Sequence, residues 1–170
     1  MLIRSARRGD APTIEDIRIR GWRVAYRHIF DPDELDRIQP NPGRFEADLE
    51  RPPTGRAAFV AVDDGRVVGF AVVGPSRDER DLGELYALYV DPDSWSRGAG
   101  RRLIVHAEER LAQDYAEAAL WVLEENARAR AFYERAGWQP DGARNVFRRP
   151  GFAAPEIRYR KLLRNARSCG

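Results

Sequence analysis

The chain has 170 residues, of which 43% are hydrophobic and 33% charged, and this balance predicts one globular domain with one main core. No apolar run approaches the ~20 residues that span a bilayer, and the N-terminus lacks a secretory core, so we expect a cytoplasmic protein that does not enter membranes. The chain has a single cysteine, Cys169, so an internal disulfide is excluded. With only two histidines besides, there is no reason to expect a metal site. The 29 basic residues are matched by 27 acidic ones, which does not favour nucleic-acid binding.

The first third of the chain is predicted to be a short strand followed by helices. Residues 2–6 have the pattern of a strand. Three helix starts follow, each marked by a polar residue with a proline just after it, at Asp10, Asp31 and Asn41. This segment is therefore expected to be mostly helical.

The pattern changes after residue 55, where strands begin to alternate with helices. The predicted elements are strands at 57–63, 66–74 and 83–90, a helix at 99–114, a strand at 118–123, a helix at 126–136 and a strand at 156–162. Asp64 and Gly65 predict a hairpin turn, and Gly137 predicts a left-handed helix end. The strand–helix–strand unit over residues 83–123 predicts two parallel strands within a mixed α/β domain.

A loop with two glycines joins the strand at 83–90 to the helix that follows it. Gly98 and Gly100 remove side chains where the helix begins, so an anion can approach its free N–H groups. The loop lacks both the Gly-Lys-Ser/Thr of a Walker loop and the Gly-x-Gly-x-x-Gly of a dinucleotide site. We therefore predict a phosphate site of another kind, with a plain tight turn as the alternative.

Three segments carry a resemblance to the GNAT superfamily of N-acetyltransferases. Trp95-Ser96-Arg97-Gly98-Ala99-Gly100 resembles the family's pyrophosphate loop, Gln/Arg-x-x-Gly-x-Gly/Ala, with Trp95 in place of the usual first residue. The stretch from Asn126 to Trp138 is similar to the pattern Asn-x-x-Ala-x-x-Phe-Tyr-x-x-x-Gly-Phe, with tryptophan as the final aromatic residue. Residues 84–92 are similar to the strand that precedes the loop.

The resemblance implies an α/β (α+β) mixed-sheet fold over residues 1–165, in which flanking helices cover a mostly antiparallel sheet with a splayed parallel strand pair. Residues 166–170 are expected to be a disordered tail. Acetyl-CoA, as co-substrate, would lie in the cleft between the two diverging parallel strands. The resemblance also suggests a homodimer. The residues expected to bind the cofactor are Leu88, Tyr89, Val90, Trp95, Ser96, Arg97, Gly98, Ala99, Gly100, Arg101, Asn126 and Tyr133.

The implied chemistry is attack of an amine on a thioester, which needs an acceptor for the amine's proton and a donor for the leaving thiolate. The resemblance places Tyr133 beside the sulfur as the acid, although helix packing would also explain this residue. Glu84 is the candidate base, with a solvated strand end as the alternative and Glu124, Glu125 and His28 as rivals. Asn126 could bind the cofactor, cap the helix that it begins, or do both.

The acceptor is expected to be a small-molecule or peptide amine bound near Trp22, Tyr26, His28 and Tyr86, each of which core packing or a structural role would also explain. The N-terminal helices and the loop after Arg144 are expected to set its identity. Two other functions stay open: an acyl-CoA-binding sensor without turnover, and an arginine-rich nucleic-acid binder whose affinity would fall steeply with salt.

Overall fold

A seven-stranded mixed sheet with helices on both faces forms the centre of residues 1–163, the part of the chain that the computed structural model describes. The tail predicted at 166–170 lies outside the described residues. In chain order the elements are β1 (Leu2–Ser5), α1 (Ala11–Ala25), α2 (Pro32–Asp36), α3 (Gly43–Glu50), β2 (Ala57–Asp63), β3 (Arg66–Pro75), β4 (Gly83–Val90), α4 (Ala99–Leu111), β5 (Glu117–Leu123), α5 (Ala127–Arg135), β6 (Gln139–Arg149) and β7 (Phe152–Leu162). None of the described helices is both long and apolar enough to cross a membrane.

The strand order is β1-β2-β3-β4-β5-β7-β6, and every neighbouring pair is antiparallel except β4 with β5. These two parallel strands share only two register pairs, Gly83 with Ala118 and Glu84 with Ala119. Beyond Glu84 they diverge, so the facing edges of both strands lie open. The predicted fold class, including the splayed parallel pair, is confirmed.

Strand alternation divides the core between the two faces of the sheet. Phe59 and Ala61 of β2 face the cluster that contains α4 and α5, whereas Val60 between them packs with α1. The helix α4 turns one apolar side to the sheet, and its buried residues are Ala99, Leu103, Ile104, Ala107 and Leu111. The opposite face carries Ile14 and Ile17 of α1 against Phe70 of β3.

The hairpin of β6 and β7 is the largest departure from the sequence prediction. The loop expected after Arg144 is strand β6, which pairs with β7 from Gln139 to Arg149, and β7 begins at Phe152 rather than at residue 156. Most side chains of β6 are exposed, so the strand lacks the apolar alternation by which strands are recognised. The first part of β7 was missed for another reason: it contains Pro155, and a proline argues against a strand because it has no N–H to donate.

Two of the three predicted helix caps differ in the structure. Asp31 caps α2 as expected, since its Oδ1 accepts the N–H of Asp33 at 2.8 Å. Asp10 occupies the position before α1, but its carboxylate is bound by Arg4 at 2.7 and 2.8 Å instead of by the helix. The helix α3 begins after Pro42, and the N–H of Asn41 donates to Glu15.

Candidate active site

A cleft of about 580 Å³ opens where β4 and β5 diverge. The loop before α4, together with α4 and α5, forms one wall, and α1 with β6 and β7 contributes the other. Fourteen of the residues predicted from sequence line it, namely Trp22, Tyr26, Tyr86, Leu88, Tyr89, Val90, Trp95, Ser96, Gly98, Ala99, Gly100, Arg101, Asn126 and Tyr133. Glu84, Arg97 and His28 are not among the lining residues.

The start of α4 presents the free N–H groups that were predicted from the sequence. Arg102 makes the first intrahelical bond, to the Gly98 carbonyl at 3.1 Å, so the N–H groups of the preceding turn have no partner in the helix. Gly98 has φ +88°, and a Cβ at this position would meet no atom within 4 Å. At Gly100 a Cβ would lie 3.3 Å from Phe132, so this glycine also serves helix packing. The open space at Gly98 and the unpaired N–H groups suit a phosphate.

Trp95, which departs from the family pattern, connects this loop to the end of β4 through a hydrogen bond. Its Nε1 donates to the Val90 carbonyl at 2.8 Å. The guanidinium of Arg128 lies 3.4 Å from the centre of the indole ring, an arrangement that the sequence analysis did not predict. The same loop is tied to α1 by Arg20, which binds Asp91 and Asp93 at 2.7 and 2.6 Å.

Asn126 combines a structural role with a place in the cleft. Its Oδ1 accepts the N–H of Ala129 at 3.2 Å, which confirms the predicted helix cap. The side chain is buried and lines the cleft. Its Nδ2 donates to no side chain or carbonyl of residues 1–163, so the amide retains a donor for a ligand.

Tyr133 lies in the cleft wall, and its hydroxyl makes no hydrogen bond within residues 1–163. The residue is 9% exposed. Burial, and to a smaller extent the neighbouring Tyr89, raise the pKa of Tyr133 well above its ordinary value of 10. The hydroxyl therefore keeps its proton at neutral pH and is available as a hydrogen-bond donor in the cleft.

Glu84, the predicted base, is 1% exposed and is bound by Arg77. Nη2 of Arg77 lies 2.5 Å from Oε1 of the carboxylate, and the N–H of Arg77 donates to Oε2 at 2.9 Å. Arg77 lines the cleft and Glu84 does not. The role of Glu84 as base stays a prediction. Its rival Glu124 is paired with Arg144 at 2.5 Å.

Aromatic side chains line the part of the cleft predicted to receive the acceptor. Trp22 packs edge-on against Tyr26, with ring centres 5.3 Å apart, and donates from Nε1 to the Tyr89 hydroxyl at 2.9 Å. The Tyr86 hydroxyl donates to the Pro75 carbonyl. His28 lies apart from this group, with Nε2 3.1 Å from the carbonyl oxygen of Glu125, and its predicted contact with the acceptor stays a prediction.

The comparison with known proteins agrees with this geometry. Residues 14–138 match the model of the Acetyltransferase (GNAT) family. This chain belongs to that family. The predicted family and enzyme class, N-acetyltransferase, are thereby confirmed.

Relatives of this acetyltransferase cover most of its length. An uncharacterized N-acetyltransferase of Bacillus subtilis is 35% identical over 73% of this chain and 72% of the relative. A probable N-acetyltransferase of Mycobacterium tuberculosis is 32% identical over 96% of this chain and 94% of the relative. Among solved structures, the PaiA N-acetyltransferase of Thermoplasma acidophilum in complex with coenzyme A has a TM-score of 0.77 at 18% identity, covering 95% of this chain and 98% of the other, and shows the same fold.

Among the charged residues of the acetyltransferase cleft that the sequence analysis missed are two on the last hairpin. Glu156 of β7 and Arg149 of β6 both line it. Burial raises the pKa of Glu156, while a hydrogen bond from Nδ2 of Asn145 at 3.1 Å opposes that shift. The alternation that buries Ile157 and Tyr159 could have placed Glu156 on the opposite, cleft-facing side of the strand. Arg149 gave no comparable signal, because β6 was not recognised as a strand.

Proposed function

We propose that this acetyltransferase transfers an acetyl group from acetyl-CoA to a primary amine, of a small molecule or a peptide, by direct attack in a ternary complex. The observation that carries the proposal is the cleft between the diverging strands β4 and β5. The unpaired N–H groups of α4 lie in one wall of this cleft, together with the free hydroxyl of Tyr133. The protein's relatives support the reaction class through their family membership.

The residues of the cleft suit each part of acetyl-CoA. The pyrophosphate fits the N–H groups of the first turn of α4, with Arg101 and Arg128 as flanking cations. The pantetheine arm carries amides that can pair with the open edge of β4 at Leu88, since the Val90 carbonyl already accepts the indole N–H of Trp95. The amide of Asn126 supplies a further donor to this arm.

In the proposed reaction the amine nitrogen attacks the thioester carbonyl carbon, a C–N bond forms, and the C–S bond breaks. The amine loses one proton and the departing thiolate gains one from Tyr133, which recovers its proton from solvent. A carboxylate, directly or through water, takes the amine's proton. Glu84 is the base predicted from sequence, and Glu156 is the carboxylate that lines the cleft.

The test is a thiol-release assay with acetyl-CoA and a panel of amines, with the acetylated product identified by mass spectrometry. Release that depends on both acetyl-CoA and an amine supports the proposal. Binding of acetyl-CoA without release for any amine would instead favour the sensor function. The homodimer stays a prediction, which analytical ultracentrifugation of the purified protein can test.

A further inference from the structure

Arg149 is a cation of the cleft without a counter-ion. It ends β6, is an exposed residue that lines the cleft, and forms no salt bridge with a carboxylate of residues 1–163. Burial, and to a smaller extent the positive charges of Arg44, Arg18 and Arg77, lower the pKa of Arg149. Arg18 is paired with Glu15 at 2.8 Å, and Arg77 with Glu84. The charge of Arg149 itself therefore remains unneutralised at this end of the cleft, and it favours an anionic group.

Glu156 is an anion of the same cleft without a counter-ion. Its one side-chain partner within residues 1–163 is Asn145, whose Nδ2 donates to Oε1 at 3.1 Å. No arginine or lysine of these residues forms a salt bridge with it. The second carboxylate oxygen thus remains free to accept a hydrogen bond from an ammonium or amine group.

The register of β6 and β7 puts the two charges on one face of the sheet. Asn145 pairs with Glu156, Phe147 with Ala154, and Arg149 with Phe152. Residues two apart on a strand share a face, so Glu156 and Arg149 lie at opposite ends of one row. Four residue steps along the strand separate their positions, about 14 Å at ~3.4 Å per residue. The guanidinium of Arg149 lies 5.7 Å from the ring centre of Phe147, the residue between them, which shortens that gap. Between them lie Phe147, which lines the cleft and packs against Trp22, and the buried Ala154.

We propose that the acceptor is a primary amine that also carries a carboxylate several bonds away, as in an ω-amino acid or a short peptide. Its amine binds Glu156, its carboxylate binds Arg149, and its apolar body lies against Phe147. This inference rests on the proposed acetyl transfer. Polyamines are disfavoured, because a second ammonium group would face Arg149.

The experiment compares kcat/KM for three acceptors with the same chain length: aminohexanoate, hexylamine and diaminohexane. A dipeptide, leucyl-leucine, and its C-terminal amide form a second matched pair. We expect each carboxylate-bearing acceptor to be preferred by about tenfold or more, the value of one charged hydrogen-bond pair. Equal or better use of hexylamine, diaminohexane or the amide overturns the inference, and so does the absence of turnover with every carboxylate-bearing acceptor.

Substitutions at Arg149 locate the preference. Arg149→Gln should lower kcat/KM for aminohexanoate roughly 10- to 100-fold relative to hexylamine, so that the discrimination disappears. Arg149→Glu should shift the preference towards diaminohexane. Arg148→Gln is the matched control, since Arg148 is the preceding residue of β6 and is exposed like Arg149, but does not line the cleft. Discrimination that survives Arg149→Gln contradicts the assignment.

The two proposals fail in different ways. If acetyl-CoA neither raises the melting temperature nor releases thiol with any amine, the proposed function fails. If acetyl-CoA binds and amines are acetylated regardless of a carboxylate, the proposed function stands and only the acceptor class is wrong.

Discussion

Arg77 binds both carboxylate oxygens of Glu84, one through its guanidinium at 2.5 Å and the other through its backbone N–H at 2.9 Å. Glu84 is 1% exposed, whereas 59% of the Arg77 side chain is exposed. The same guanidinium lies 5.4 Å from the ring centre of Tyr86. The buried carboxylate therefore holds the beginning of the loop after β3 on the sheet and directs Arg77 towards the cleft.

We expect Glu84→Gln to lower the free energy of unfolding by about 1–2 kcal/mol, because charged hydrogen bonds are lost from a buried carboxylate to a partly exposed arginine. The acidic limb of the pH–rate profile should remain, since both oxygens are held by Arg77. Urea unfolding and a pH–rate profile measure the two effects. Glu50→Gln, which breaks the exposed pair with Arg8, should cost under about 0.5 kcal/mol. Loss of the acidic limb in Glu84→Gln would support the base role predicted from sequence.

Gly98→Glu should abolish the rise in melting temperature that acetyl-CoA causes in the wild type, because the new carboxylate occupies and repels the phosphate site. Gly142→Glu is a matched control: both glycines have φ +88° and open space around the missing Cβ. Their backbone strain should thus be similar, about 1–2 kcal/mol. Gly100 is less suitable, because a Cβ there would also press on Phe132. Intact acetyl-CoA binding in a folded Gly98→Glu protein would place the phosphate elsewhere.

The sequence predicted those parts of the fold in which local pattern and tertiary structure agree. The glycine loop and the cap at Asn126 follow from backbone geometry, which short motifs encode directly. The cleft residues Glu156 and Arg149 depend on strand register instead, and β6 carries no apolar alternation from which a register could be deduced. The partner of Glu84 was also missed, because Arg77 lies in an irregular loop whose fold back onto β4 leaves no periodic signal.

Tyr133→Phe should lower kcat by roughly 10²–10⁴-fold while leaving the dissociation constant of acetyl-CoA similar, because the substitution removes only the proton donor. The hydroxyl has no hydrogen-bond partner within residues 1–163, so its removal should not destabilise the fold. Tyr115→Phe, which removes a hydroxyl outside this cleft, serves as the control. Single-turnover rates measure the chemical step directly. An unchanged single-turnover rate would exclude Tyr133 as the acid.

The last prediction concerns Glu156 and follows from the direction of its pKa shift. Burial raises the pKa of this carboxyl above its ordinary value of 4.5, and the negative charges of Glu84 and Asp78 act in the same direction. The hydrogen bond from Asn145 and the charge of Arg77 oppose the shift. The folded protein thus binds this proton more tightly than the unfolded chain, so ionisation of Glu156 destabilises the fold as the pH rises.

Glu156→Gln should therefore melt at a higher temperature than the wild type at about pH 7–8, where the wild-type carboxylate is charged in both states. The difference should shrink as the pH falls through the raised pKa and vanish below about pH 4, where the wild-type carboxyl is protonated as well. The same variant should lose most of its kcat/KM and the acidic limb of its pH–rate profile, because the group that receives the amine is gone. Asn145→Ala provides an independent check: without the hydrogen bond that lowers the pKa of Glu156, the limb should move to higher pH. A carboxylate retained for binding the acceptor is expected to cost stability when the cleft is empty, so a Glu156→Gln protein that melts below the wild type at neutral pH would contradict this account. An acidic limb of the pH–rate profile that is unmoved in both variants would contradict it as well.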